Sequence, residues 1–453
     1  MVVAPERVVV RFEGDGAGTG PLSWGQLENW SAIVKQGTWL PLGGVRPLPE
    51  GTTLDEVVDE VRYLMGRYQP MRTRVHTGAG GRPEQVVHAS GELTVEVHDA
   101  DAPGAAGTDA GNDPGGTVAG PDRADLVAAA VHERLRDTPM DFAAEWPVRY
   151  AVVRQGGRLT HVVLLVSHFV TDAAGAVTMM TEVAARTATP VAGLQPLAQA
   201  GWQTSPAGRR HNEHAQRHWE RIVRDVDPVR FPPPAEVVSP RYRQGELTSP
   251  SLPAAVRAIS DRSGVESATV LLTLYAAALH SVLGVDPVVI RPITSNRFRP
   301  GLADVVCTLA QAGLFRIDVG GGSFEDLLPR AGRAALSAYK YAYFHQAEMA
   351  DLVDRVGRER GAPIELGCYF NDRRGAGPAP DAPAAFRWVA AQEAPTFEPL
   401  FVHVDDATSD GAEALRLTAY LDTAHVTPAS AAAVLQAMDE LASKAAALQP
   451  AAL

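Results

Sequence analysis

Cysteine is nearly absent: the 453 residues hold two, Cys307 and Cys368. They form no Cys-x-x-Cys pair, and neither stands near a His-x-x-x-His pair. This excludes a disulfide framework and argues against a zinc site. Long apolar runs are also missing. No uninterrupted stretch reaches the ~18 to 20 residues of a membrane span. The N-terminus, Met1 to Arg7, lacks a charged segment followed by an apolar run and a cleavage site, so it does not read as a signal peptide. A soluble, cytoplasmic protein is expected. Positive charge is not in excess, since the formal net charge is −12. Wholesale binding to nucleic acid or to an anionic membrane is therefore not expected. A Gly-x-Gly-x-x-Gly fingerprint is absent too: Gly14–Gly20 follows a strand but lacks that spacing.

What remains is ordinary globular composition, with 45% hydrophobic and 21% charged residues, and enough length for two or three compact lobes. Residues 7–12 read as a strand, and a helix follows with Ser23 as N-cap. Residues 54–69 carry helical spacing. Residues 102–122 are rich in Gly, Ala and Asp and read as an exposed, mobile loop. A helix is expected over 123–136. Two apolar runs, 147–154 and 159–166, flank Gln155-Gly156-Gly157, a hairpin signal. A helix then runs from about Ala174 to Arg186, and 188–210 read as a Pro/Gly/Ala-rich linker. Further helices are expected at 211–226, 266–283 and 428–447, and strands at 287–293, 312–319, 366–371, 400–404 and 414–421. The helix over 266–283 is apolar on nearly all sides and is expected to be buried. The class is α+β in two halves, without a short internal repeat.

The chemistry concentrates in Leu164-Leu-Val-Ser-His-Phe-Val-Thr-Asp172. An apolar strand ends, His168 stands where the backbone leaves the sheet, and Asp172 precedes the next helix. A histidine there suits general-base work, because its reference pKa lies near neutrality. It would take a proton from an amine or hydroxyl as that group attacks a thioester or ester carbonyl. His-x-x-x-Asp spacing arises readily by chance, however. A strand-end His satisfied by backbone, with Asp172 as an N-cap, is the plainer reading of these residues alone.

The segment resembles the His-His-x-x-x-Asp-Gly motif of condensation domains of nonribosomal peptide synthesis, members of the chloramphenicol-acetyltransferase-like superfamily. Seven further blocks resemble that family in order over about residues 20–445. They are Pro21-Leu-Ser-Trp-Gly-Gln-Leu-Glu-Asn-Trp30, Arg67-Tyr-Gln-Pro-Met-Arg-Thr73, Met140-Asp-Phe-Ala-Ala-Glu-Trp-Pro-Val-Arg149, Arg217-His-Trp219, Val306–Asp318 with Gln311 at an Asn position, Tyr343-Phe-His-Gln346 and Cys368-Tyr-Phe-Asn371. The resemblance implies two acetyltransferase-like lobes, each an α/β two-layer sandwich, set in a V with a tunnel between them. Residues 1–187 would form the lobe carrying the His motif, 188–210 the linker and 211–453 the second lobe. It further implies that His168 is the reactive group and that Asp172 is structural, paired with an Arg. Arg297, in Ser295-Asn-Arg-Phe-Arg-Pro300, is the preferred partner and Arg72 the second. Trp24, Gln311, Tyr369 and Asn371 are candidate tunnel-lining residues.

Two positions depart from the family pattern. Ser167 replaces the motif's first His as a small hydrogen-bonding residue that supports the loop. Ala173 replaces its Gly and would resist a positive φ, which Gly175 two residues on would relax. The expected function is a stand-alone condensation enzyme that transfers an acyl or aminoacyl group from a carrier-protein thioester to an amine or hydroxyl. The carrier acts in trans, since no adenylation or carrier module fits the remaining residues. The acceptor is a small molecule or is itself carrier-bound. No metal and no cofactor are required: the phosphopantetheine arm, or CoA, belongs to the donor. A monomer is expected. An acyl-CoA-dependent acyltransferase is the close alternative. A non-catalytic module that recruits a carrier-bound partner is the alternative of another class. Arg209-Arg-His-Asn-Glu-His214 with Arg217, Arg221 and Arg224 reads as a solvated helix face, with docking of an acidic carrier as the other reading. Gly320-Gly-Gly-Ser323 reads as a turn and helix N-cap, not a phosphopantetheine attachment site. Met179 and Met180 read as helix core.

Overall fold

The computed structural model describes residues 4–103, 122–231, 238–375, 377, 379–393 and 399–447. Most of the expected 102–122 loop lies outside these residues. The chain forms two compact units. The first comprises Met1–Ser205 together with Arg297–Leu309, and the second Pro206–Asn296 with Ala310–Leu453. The units meet at Ser205/Pro206, inside the segment 188–210, and two features differ from a plain linker between halves. Part of that segment is helix, Pro196–Gln203, and the helix Pro206–Asp225 begins inside it. The segment Arg297–Leu309 also returns to the first unit.

The first unit is built on a five-stranded sheet in the order Glu6–Glu13, Ser90–Asp99, Val148–Gln155, Arg158–Ser167, Pro41–Pro47. Only the pair Ser90–Asp99 and Val148–Gln155 is parallel. The expected hairpin is present, and Gly156 and Gly157 take φ of 58° and 75°. Positive φ at both central residues suits a two-residue turn whose twist matches the strands. Alternation along Val148–Gln155 sends Val148, Tyr150 and Val152 to one core and Ala151 and Val153 to another. Both faces of the sheet are thus covered. Helix Leu54–Arg67 buries Val57, Val61, Leu64 and Met65 in the first of these cores. Helix Arg123–Asp137 buries Val127, Val131 and Leu135 in the second. Ser23 caps helix Trp24–Gln36 as expected, in a reciprocal capping box with Gln26.

The strand Arg158–Ser167 leads into helix Ala173–Ala185. Near its far end, Glu182 accepts from Arg67 Nε at 2.8 Å and from the Tyr68 hydroxyl. The Arg67 hydrogen bond, more than the Tyr68 one, holds the Glu182 carboxyl below its ordinary range, against the opposing effect of burial. A depressed native pKa contributes stability at pH above the unfolded carboxylate value, and that stability is lost as pH falls through the native value. Glu182→Gln should cost about 1–3 kcal/mol at pH 7. The difference from wild type should shrink in acid melts below about pH 4. An unchanged difference across that range would show that Glu182 does not act through its charge.

The second unit holds an eight-stranded sheet. Its path runs Gln311–Ala312, Val288–Thr294, Cys368–Asp372, Leu400–Ser409, Ala412–Asp422, Tyr242–Ser249, Phe386–Gln392, and Phe315–Ile317 also pairs with Val288–Thr294. The single strand expected at 312–319 is therefore two short ones. Helix Ser267–Leu283 is buried on nearly all sides, as its sequence implies. No single helix among the described residues is long and apolar enough to cross a membrane. Ser323 caps helix Phe324–Lys340 through a capping box with Asp326, as a turn and N-cap require.

Candidate active site

The residues that position His168 lie in the first unit. The strand Arg158–Ser167 ends beside Pro41, and the chain turns at once. Ser167 makes that turn. Its Oγ donates to the Trp39 carbonyl at 2.7 Å and accepts from Phe169 N at 3.2 Å, and its carbonyl accepts from Val170 N at 2.8 Å. His168 N donates to Leu40 O at 2.8 Å. Phe169 and Val170 are fully buried while His168 is half-exposed. The loop is thus pinned by its neighbours and presents one ring.

Asp172 closes the loop. Its Oδ1 caps helix Ala173–Ala185 by accepting from Gly175 N at 2.9 Å. Its Oδ2 accepts from Arg297 Nη1 at 2.8 Å and from Leu309 N at 2.9 Å, and Arg297 Nη2 lies 2.8 Å from Oδ1. The pair is two-pronged and nearly buried, with side-chain exposures of 11% for Arg297 and 6% for Asp172. Arg297 Nη2 also donates to the carbonyls of Val305 and Cys307. Arg297 is therefore the partner, and Arg72 is not. Arg72 is buried elsewhere in the unit, donating to the carbonyls of His88 and Asp15.

Of the two departures, Ser167 supports the loop through its hydroxyl, while Ala173 resolves differently from expectation. Ala173 is an exposed first-turn residue and is not among the residues of positive φ, so it carries no backbone strain for Gly175 to relax. Gly175 serves close packing instead. A Cβ there would lie 2.3 Å from Thr171 Oγ1 and 2.9 Å from Arg297 Nη2. Gly175→Ala should destabilise the protein by about 1–3 kcal/mol and weaken activity with it, read by thermal melts of purified protein. A variant as stable as wild type would show that the Arg297 contact is not tight.

Asn29, which the sequence reading passed over, also contacts this loop. It is half-buried on helix Trp24–Gln36, and its Nδ2 lies 2.9 Å from His168 Nδ1, 2.8 Å from His168 O and 2.7 Å from Thr308 Oγ1. An Asn inside a helix is unfavourable for the helix itself, and that was the one local sign of it. Its partners lie 139 and 279 positions away. Cys307 is no candidate nucleophile: burial, the largest influence, pushes its thiol up to about 12.

The remaining candidates fall into both units. Trp24 is buried in the first unit, its backbone N–H donating to Gln203 Oε1 and its ring edge-on to Trp202. The others stand in the second unit. Gln311 is buried, and its amide is locked to both backbone groups of Phe344. Tyr369 receives a hydrogen bond from Arg291. Asn371 lies two residues along the same strand, opposite His403. Met179 is core as expected, but Met180 is 39% exposed and is not. In the basic helix Pro206–Asp225, Arg224 pairs with Glu220 and Glu359, which also pair with Arg355.

The Condensation domain family matches residues 48–363, about 70% of the chain, and the chain belongs to that family. Its members form amide or ester bonds in nonribosomal peptide synthesis. The chain is 26% identical over 349 residues to the phosphinothricin tripeptide synthetase PhsC of Streptomyces viridochromogenes. That match covers 72% of this chain and 30% of the relative, so the chain spans under a third of that protein. Among solved structures, the fold is similar to one described by condensation domain-mediated chain release from the enacyloxin polyketide synthase. The TM-score is 0.69 at 19% identity, over 97% of this chain and 85% of that one. It is also similar to the X-domain from teicoplanin biosynthesis, with a TM-score of 0.67 at 14% identity, over 94% of each. The α+β fold expected from the sequence is the fold these proteins share.

Proposed function

We propose that this protein transfers an acyl or aminoacyl group from a carrier-protein thioester, delivered in trans, to an amine or hydroxyl acceptor. The acceptor attacks the thioester carbonyl, a C–N or C–O bond forms, and the C–S bond breaks. The acceptor's proton ends on the departing thiolate of the phosphopantetheine arm. The observation that carries this reading is the loop Ser167–Asp172. Its two ends are held by Ser167 on Trp39 and by Asp172 on Arg297, and it leaves His168 half-exposed between them. Among the described residues the ring's Nε2 has no hydrogen-bond partner, which suits a group meant for substrate. The proposed reaction draws on no metal, and the phosphopantetheine arm belongs to the donor.

The test is a product assay with a panel of carrier-loaded acyl and aminoacyl thioesters, run beside the matching CoA esters, with amine and hydroxyl acceptors. Product that depends on His168 and on the carrier donor is expected. Equal or better use of CoA esters would make the protein a CoA-dependent acyltransferase. Carrier binding without any His168-dependent product would make it a recruiting module.

A further inference from the structure

We infer that Asn29 holds the His168 ring in the tautomer with its proton on Nε2, and that this suits the site to amine acceptors. The inference rests on the reading of His168 as the residue that meets substrate. A primary amide nitrogen has two hydrogens and no acceptor lone pair, while a backbone carbonyl only accepts. His168 O lies 2.8 Å from one atom of the Asn29 amide, so that atom must be the nitrogen. The opposite assignment would set two oxygens against each other. The same nitrogen lies 2.9 Å from His168 Nδ1. Nδ1 must then accept, because a proton there would leave two N–H groups facing each other. With Nδ1 accepting, the proton of the neutral ring is on Nε2. Thr308 Oγ1, 2.7 Å away, accepts as well and holds the amide from its far side. Two hydrogens serve three acceptors, so one is shared, which further restrains the amide's rotation.

A neutral ring with Nε2–H is a hydrogen-bond donor at the point facing substrate, and it has no lone pair there to remove a proton. It stabilises the oxyanion that develops on the thioester carbonyl. A free amine needs nothing more, because it attacks as a neutral nucleophile and releases its proton afterwards. The C–N bond forms, the C–S bond breaks, and the proton left on nitrogen passes to the thiolate. A hydroxyl needs its proton taken as it attacks, and this tautomer does not supply that service. Asn29 is thus a positioning residue that acts through His168.

The test reads the tautomer directly, without turnover. Long-range ¹H–¹⁵N correlation spectra of histidine-labelled protein, assigned with His168→Ala, distinguish Nε2–H from Nδ1–H. Wild type should show Nε2–H, and a wild-type Nδ1–H ring overturns the inference. In Asn29→Asp the carboxylate turns from His168 O and accepts from the ring, so Nδ1 should gain a proton. Amine turnover should then fall by about 10²-fold in kcat with KM little changed, while hydroxyl turnover holds or rises. An Nε2–H ring retained in Asn29→Asp would also overturn the inference. If the aspartate variant fails to fold, Asn29→Leu removes the donor, and a mixture of tautomers should replace the single one; a single unmixed tautomer overturns the assignment. A wild-type Nε2–H ring in a protein that makes no product from any donor would leave the tautomer standing and sink the proposed reaction instead.

Discussion

His168→Ala is expected to lower kcat by about 10²–10³-fold in the carrier-thioester assay while the protein stays folded, as for the loss of one donor to a developing oxyanion. The side chain is half-exposed, and its hydrogen bond runs to an amide that keeps two other acceptors, His168 O and Thr308 Oγ1. Loop shape does not depend on the ring. It depends on His168 N donating to Leu40 O, on Ser167, and on the buried Phe169 and Val170. The melting temperature should therefore move by no more than the equivalent of about 1.5 kcal/mol, the net worth of one partly buried hydrogen bond. Product measured by mass spectrometry, with melts on the same preparation, separates the two effects. Full activity in the variant would remove His168 from the chemistry.

Asp172→Ala is the second large effect, and it acts on stability. The carboxylate takes contacts in a nearly buried place from Gly175 N, Leu309 N and two nitrogens of Arg297. Deleting it strands a guanidinium with 11% side-chain exposure, two backbone N–H groups and an uncapped helix. Breaking a buried ion pair by removing one partner costs about 3–5 kcal/mol, far more than the net worth of the pair. For a unit of this size that corresponds to a fall of roughly 6–20 °C in the melting temperature. Replacing Arg297 with Met in the same variant removes the stranded charge and should recover part of the loss. Additive effects of the two substitutions would show that the pair is not coupled. Asp172→Asn keeps a capping oxygen and should fall between wild type and Asp172→Ala. Activity of Asp172→Ala measured well below its melting temperature should drop less than that of His168→Ala, since Asp172 shapes the loop that carries the ring.

Much of this is legible in the sequence. The hairpin at Gly156-Gly157, the helix cap at Ser23, the buried helix over 266–283 and the strand leading to His168 all have local causes. Those causes are positive φ at glycine, a side-chain oxygen three residues before a free N–H, and the period of apolar residues. The choice of Arg297 over Arg72 followed family resemblance, and geometry then supplied its reason: Arg72 spends its donors on the carbonyls of His88 and Asp15. The helix Pro196–Gln203 is not legible in the sequence, because its Pro, Gly and Ala look like a linker. Pro at its first position is compatible with a helix, and burial of Gln199 and Gln203 does the rest.

By itself the sequence determined the class of fold, the family, and where along the chain the reactive loop would fall. Each of these is written in short-range pattern or in ordered motifs. Only the tertiary structure decided what surrounds that loop. Asp172 meets a residue 125 positions away, and Asn29 meets one 139 positions away. Such contacts leave no periodicity in the chain, because they depend on where helix ends and loop backbones arrive after packing. For the same reason Gly175 and Ala173 exchanged significance. The first turned out to mark a close approach by Arg297, and the second an exposed helix start, a distinction that depends on neighbours in space.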